Sequence, residues 1–286
     1  MSVAEAVVLE SVSEIGRLPH VTAALKYVVP TPDKPRSYMY EPPPGIPKMS
    51  ATYEQHSMLI RNVRPVAPRL SLDTEGFRLL HHRSNVRDFH SDAEVRAGYY
   101  AEVEKLVAET TGAVRFVVFD HTVRRRLEGV DDGTGRPRRE PVPRVHNDYT
   151  AKSGPQRVRD LLADEAESLL GRRFSIINVW RPIRGPLEDA PLALCDARSV
   201  APEDLVPTDL LYEDRTGEIY NVRHNPAHRW FYAPRMSRDE VLLFRCYDSA
   251  EDGRARFVPH AAFEDPTTPR TAIPRESIEL RTLAFY

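Results

Sequence analysis

Val145-His146-Asn147-Asp148-Tyr149 sets an imidazole and a carboxylate two residues apart. In an extended segment the two side chains project to one face, because the side-chain period of a strand is two. A nitrogen and an oxygen aimed together are two of the three donors of the facial 2-His-1-carboxylate set, which binds iron(II) and leaves other coordination positions open. A second His, from far downstream, must complete the set. In a chain with 10 His, about one His-x-Asp is expected by chance, and another copy does occur at His90-Ser91-Asp92. That copy has a structural explanation: Ser91-Asp92-Ala93-Glu94 reads as a capping box that opens a helix through Val95, Tyr99, Val103 and Leu106. His146 lies instead between Pro143 and the β-leaning Tyr149-Thr150, ahead of the turn residues Lys152-Ser153-Gly154-Pro155, and reads as strand end or loop.

The downstream candidates are His224, His228 and His260. His228, in Asn225-Pro226-Ala227-His228-Arg229-Trp230, sits at an expected hairpin tip, where a His often bonds only the turn backbone. His260 follows the apolar Glu240-Val241-Leu242-Leu243-Phe244 and precedes the terminal strand. The arginines favour it. Arg275-Glu276-Ser277 opens that last strand, and an Arg and a Ser two apart share a face, so a guanidinium fork and a hydroxyl could grip a carboxylate together. Arg281 shares the face by its even offset. Such a clamp suits a dicarboxylate that chelates a metal at one end. The plainer alternative is a surface strand in which Arg275 keeps company with Glu276 and Glu279.

The elements that must bring these residues together follow from the rest of the 286-residue chain, which is long enough to bury a substantial core. With 40 Lys and Arg against 42 Asp and Glu, the net charge of -2 gives no electrostatic case for nucleic acid or an anionic membrane. The basic clusters Arg124-Arg125-Arg126 and Arg136-Pro137-Arg138-Arg139 flank Asp131-Asp132 and read as a solvated loop. No apolar run approaches the ~20 residues of a membrane span, and the N-terminus lacks the pattern of a secretory signal. A soluble, cytoplasmic protein is the expectation. Cys195 and Cys246, without Cys-x-x-Cys spacing, suggest buried free thiols rather than a disulfide or zinc framework.

A strand or two is expected within residues 1–30, and the proline-rich Tyr38–Lys48 reads as an extended segment without helix. Together 1–72 form an expected N-terminal arm on a helix-backed core of 73–286, all one domain. In the core, Gly76–Leu80 reads as a strand, 93–109 as a helix ending at Thr111-Gly112, and Arg115–Asp120 as a buried strand. Gly129–Arg139 is a turn-rich loop, and Val158–Leu170 has a period close to 3.6. After it, strands follow in quick succession: Phe174–Arg181, Leu192–Cys195, a hairpin of Ile219–Val222 with Arg229–Tyr232, Val241–Tyr247, Arg256–His260 and Ser277–Phe285. The fold class is α+β, mainly β: a double-stranded β-helix, that is a cupin-like jelly roll, backed by helices, with an extended N-terminal arm.

The order His-x-Asp, helix, strand, Glu-Val-Leu-Leu-Phe strand, His, then Arg-x-Ser on a final strand resembles the iron(II)/2-oxoglutarate-dependent oxygenases. More narrowly, Val179-Trp180-Arg181-Pro182, Asn225–Trp230, Arg245-Cys246-Tyr247-Asp248-Ser249, Pro259–Phe263 and Pro274–Glu279 are similar to the gibberellin-desaturase-like and cephem-methoxylase-like tailoring oxygenases, over most of the chain from about Tyr38. The resemblance implies iron held by His146, Asp148 and His260, with His228 as the rival third ligand. It further implies 2-oxoglutarate on that iron, its far carboxylate met by Arg275 and Ser277, with Asn178 and Arg181 helping to bind co-substrate or substrate. O2 is the other co-substrate, and succinate and CO2 are released. Hydroxylation, desaturation and oxidative ring closure of a small metabolite all fit; halogenation does not, because relatives that bind chloride lack the carboxylate supplied here by Asp148. Tyr149, Arg229, Trp230 and Tyr232 are candidate substrate contacts, although Trp180, Trp230 and Phe231 read equally as core. The rival classes are a non-catalytic binding protein on the same fold and a cupin-like metalloenzyme that does not use 2-oxoglutarate. Oligomeric state is not legible.

Overall fold

The computed structural model describes residues 15–126 and 140–286; the expected loop Gly129–Arg139, with Asp131-Asp132 and the second basic cluster, and the first residues of the arm lie outside them. The strands are β1 (His20–Val28), β2 (Arg36–Tyr38), β3 (Tyr53–Asn62), β4 (Phe77–His81), β5 (Arg115–Arg125), β6 (His146–Asn147), β7 (Phe174–Pro182), β8 (Leu192–Cys195), β9 (Leu205–Leu211), β10 (Thr216–Val222), β11 (Trp230–Tyr232), β12 (Glu240–Asp248), β13 (His260–Ala262) and β14 (Glu276–Phe285). They form two sheets. The larger runs β1-β3-β11-β8-β13-β6-β10-β9-β2, and the smaller runs β4-β12-β7-β14-β5.

Strand parity sorts the side chains into layers. On β7, Phe174, Ile176 and Trp180 enter the core between the sheets, with Phe231, Leu194, Phe244 and Leu283. Their alternates Ile177 and Val179 join Leu243, Ile278 and Leu280 on the outer face of the smaller sheet. That face is covered by the helix α1 (Tyr100–Thr111), which a short α-turn Asp92–Glu94 and a π-helical turn Val95–Tyr99 lead into. Val95, Tyr99, Val103, Leu106 and Val107 supply its apolar stripe. The Ser91 hydroxyl caps the start by accepting from the Glu94 N–H, while the Glu94 carboxylate accepts from the backbone N–H groups of Arg87 and Asp88 rather than closing the capping box on Ser91. Gly112 ends α1 in the left-handed conformation, φ 70°, which a residue without Cβ adopts at little cost.

Three details depart from the sequence expectations. Residues 20–62 of the expected arm are joined to the core by strand pairing: β1 pairs along its length with β3, and β3 pairs in parallel with β11, so both are part of the larger sheet. The period of Val158–Leu170 is divided between α2 (Ser153–Leu162) and α3 (Ala166–Leu170), with a single 3-10 turn between them. Finally, β10 and β11 do not form a hairpin. β10 pairs with β9 and β6, whereas β11 pairs with β3 and β8. The chain between them, through Asn225-Pro226, therefore crosses the larger sheet instead of turning back on itself.

Candidate metal centre

β6 and β13 are neighbours in the larger sheet, and His146 and His260 are direct register partners. Their rings lie 4.4 Å apart between centroids, tilted by 51°. Each imidazole donates Nδ1–H to a carbonyl two residues before it, His146 to Arg144 at 2.8 Å and His260 to Val258 at 3.0 Å. A neutral imidazole that donates from Nδ1 keeps its lone pair on Nε2, so backbone geometry sets both tautomers and aims both acceptors. Asp148 Oδ1 stands 3.5 Å from His146 Nε2 and 3.9 Å from His260 Nε2. One donor atom from each of the three lies within 4.8 Å of the others. Burial, followed by the neighbouring His260, drives the pKa of His146 down to about 3, so the ring is neutral at ordinary pH, the form in which an imidazole can coordinate a metal. Burial, the largest single influence, would raise the pKa of Asp148, but Arg281, the two histidines and the Asn178 hydrogen bond together outweigh it and hold the carboxyl well below its usual range.

The second oxygen of Asp148 is held from the other sheet. Oδ2 accepts from Asn178 Nδ2 at 2.8 Å and from Arg281 Nε at 3.1 Å. Arg281 is held in turn by Asp120, Thr122 and Glu279. Asn147, between His146 and Asp148, ties the segment down: its amide donates to the carbonyls of Tyr149 and Cys246, and its oxygen accepts from the Val258 N–H, two residues before His260. Gly76, at φ +87°, matters here as well, since a Cβ would collide with the Val258 side chain. Phe244 packs its ring 4.7 Å from that of His260.

His146, Asp148 and His260 line a cavity that also receives Arg275, Trp180 and Glu279. Arg275 is 2% exposed. Its Nε donates to Ser277 Oγ at 3.0 Å and its Nη1 to the Ala190 carbonyl at 2.8 Å, and its guanidinium lies over Trp180. Asp189 meets the Arg275 backbone N–H rather than the guanidinium. Burial, then the like charge of Arg124, lowers the pKa of Arg275 to about 9, the mark of a cation short of counter-charge in a dry place. The donor set therefore fits a divalent iron site with open positions, and the buried guanidinium beside it fits a carboxylate.

Residues 25–285 match the sequence profile of a family described as an oxidoreductase/YMDC permease-like domain. Hydroxylase/desaturase efuI of Hormonema carpetanum is 34% identical over 254 residues, covering 82% of this chain and 85% of its own length. Fe(II)/2-oxoglutarate-dependent dioxygenase nvfI of Aspergillus novofumigatus is 33% identical over 256 residues, covering 87% and 90%. The solved iron and alpha-ketoglutarate-dependent endoperoxidase NvfI superposes with a TM-score of 0.84 at 29% identity, over 93% of this chain and 98% of that one. The chain belongs to this family of iron(II)/2-oxoglutarate-dependent oxygenases. Its double sheet is their jelly roll. No helix among the described residues is long and apolar enough to cross a membrane.

Within the oxygenase, several sequence-predicted residues lie away from the cavity. Arg181 is one. Its offset of three from Asn178 puts it on the opposite face of β7, where it is fully buried, donates to Nδ1 and the carbonyl of His82, and lies against Tyr99 and Phe89. Trp230 and Tyr232 belong to the apolar cluster on the far face of the larger sheet from Phe231; the Trp230 indole donates to Tyr27. Arg229 is paired with Asp196. Tyr149, next in sequence to Asp148, packs in the core between the sheets and is not among the residues lining the cavity. Burial there raises its pKa to about 12. His228 also lies away from the cavity, 4% exposed, with one ring nitrogen on Asp204 and the other on Tyr27. At the second His-x-Asp, His90 meets Glu276 and Asp92 meets Arg96. Both cysteines are free and buried, as expected. Conversely, Trp180, Glu279 and Arg124 line the cavity without having been singled out for it. Parity was the available signal, since Trp180 stands two from Asn178 and Glu279 two from Ser277.

Proposed function

We infer that this chain is an iron(II)- and 2-oxoglutarate-dependent oxygenase that hydroxylates, desaturates or oxidatively cyclises a small, secondary-metabolite-like substrate. The observation that carries this reading is the cross-strand pairing of His146 with His260 beside Asp148, on the same cavity as the buried Arg275. His146, Asp148 and His260 would hold the iron through Nε2, Oδ1 and Nε2. Arg275, kept in place by Ser277 and the Ala190 carbonyl, would take the far carboxylate of 2-oxoglutarate. When bound, the iron would activate O2, which is the oxidant, while 2-oxoglutarate would supply two of the electrons and leave as succinate and CO2.

What the chain itself contributes is arrangement. The Nδ1 bonds keep both rings neutral and aimed; Trp180 and Phe244 keep water from Arg275 and His260; the rigid strand pair holds the three donors at fixed separation. The relatives' names span hydroxylase/desaturase, dioxygenase and endoperoxidase, so substrate pose rather than the metal set separates these outcomes. The whole chain works as one unit in this reading, because β1 and β3 of its first 72 residues are joined through β11 and β8 to the sheet that carries both histidines. Two buried free thiols accord with a cytoplasmic enzyme, and the near-neutral charge with a small-molecule partner rather than nucleic acid.

The test is succinate formation from 2-oxoglutarate by anaerobically reconstituted protein on admission of O2, with and without iron(II), screened across candidate metabolites. Iron-dependent succinate supports the reading. Its absence under every condition returns the protein to the non-catalytic or keto-acid-independent alternatives.

A further inference from the structure

The carboxylate of Asp148 has two oxygens, and only one faces the histidines. A metal with six positions that takes three protein donors keeps three places; if both oxygens of the carboxylate coordinated, one of these would be lost. Oδ2 is turned from the histidines by two donors on adjacent strands. Asn178 and Arg281 are register partners across β7 and β14, and both point at that one atom. The arrangement is stiff. Arg281 is anchored by Asp120, Thr122 and Glu279 as well, and its pairing with β5 is followed at once by a register shift between Arg281 and Thr282, the kind of irregularity that re-aims a side chain. Asn178 cannot usefully rotate its amide. Its Oδ1 is buried without a hydrogen-bond partner, and a flip would set that oxygen against the carboxylate.

We propose that Asn178 and Arg281 are positioning residues that restrict Asp148 to one-oxygen ligation and so keep a coordination position open for the keto acid. The inference rests on the functional reading above and deepens it, since it concerns what these residues do toward the same metal. It separates two affinities that ordinary structural damage would lower together. Freed of its partners, the carboxylate can spread both oxygens over the metal, which preserves metal binding and competes with the chelating co-substrate.

Anaerobic titration checks this on the full chain. Iron(II) affinity is read by competition with a chromophoric chelator, and 2-oxoglutarate affinity by the visible absorption of the metal–keto acid chelate, so neither readout is turnover. Asn178→Ala is expected to weaken 2-oxoglutarate about tenfold while leaving iron affinity within about threefold, and Arg281→Lys to do the same more strongly. Thermal melting of the metal-free variants reports whether they fold, and Asn178→Ala, which removes no charge, is the decisive one. A parallel fall in both affinities, or no change in either, overturns the proposal. Wild-type protein that takes up neither iron nor keto acid overturns the functional reading first, and this inference with it.

Discussion

The guanidinium of Arg275 lies 4.9 Å from the centroid of the Trp180 ring, on a cavity shared with His146, Asp148 and His260. The indole covers one side of a buried cation, and Ser277 fixes its Nε, so the outward edge of the fork is presented in a set direction. Arg275→Met should raise KM for 2-oxoglutarate roughly a hundredfold, about 2–3 kcal/mol of charge-assisted bonding. Ser277→Ala should raise it only about fivefold, and Trp180→Phe about threefold, since a weaker π face remains. Initial rates of succinate release against keto acid concentration decide this, and an unchanged KM in Arg275→Met would remove Arg275 from the site.

Iron stoichiometry separates the candidate histidines. His146→Ala or His260→Ala should leave less than about a tenth of the iron bound after gel filtration, because either deletion breaks the three-donor set. His228→Ala should keep full occupancy while costing about 1–3 kcal/mol of stability, because Asp204 and Tyr27 lose their shared buried partner. Loss of iron in the His228 variant, with retention in the His260 variant, would reverse the assignment.

Arg181 should behave as a structural residue. Its partner is His82 and its surroundings are Tyr99 and Phe89, on the helix side of the smaller sheet. Arg181→Met is expected to lower stability by about 1–3 kcal/mol with KM for 2-oxoglutarate unchanged. Urea unfolding together with steady-state kinetics tests both halves; a stable variant with a raised KM would put Arg181 back at the co-substrate.

Acid stability should depend on His228. Burial lowers its pKa below the ordinary 6.5, and the opposing pull of Asp204 does not restore it. The unfolded chain therefore takes up a proton at this position before the native state does, so its contribution to stability is complete above pH 6.5 and declines as the pH falls toward the native value. Urea midpoints of metal-free protein between about pH 8 and 5 should fall more steeply for wild type than for His228→Gln. Parallel slopes would show that the ring does not titrate differently in the two states.

The sequence alone determined the local vocabulary of this protein. His146-x-Asp148 and Arg275-x-Ser277 each put two functional groups on one face because the strand period is two, and that geometry needs no tertiary information. Ser91 as a helix cap, Gly112 as its end, and the apolar runs of β7, β12 and β14 are equally local. Parity also held the answer for Arg181, whose odd offset from Asn178 already excluded a shared face. For Arg275 and Arg281 the even offset predicted one face but not that Arg275 lines the cavity while Arg281 donates to Asp148.

Only the tertiary structure decided which strand lies beside which. His260 rather than His228 meets His146 because β13 inserts between β8 and β6, while His228 is carried by the crossing segment before β11 to Asp204 and Tyr27. The pairing of Asn178 with Arg281 joins residues more than a hundred positions apart in the smaller sheet, and their joint hold on Asp148 ties that sheet to the residue next after β6 of the larger one. Such contacts are set by the closure of long loops and by how two twisted sheets pack, terms that depend on the whole chain at once. Trp230 and Tyr232 make the same point in reverse. Their aromatic character suited a pocket, but the pairing of β11 with β3 and β8 turned them to the far face and left the cavity to Trp180.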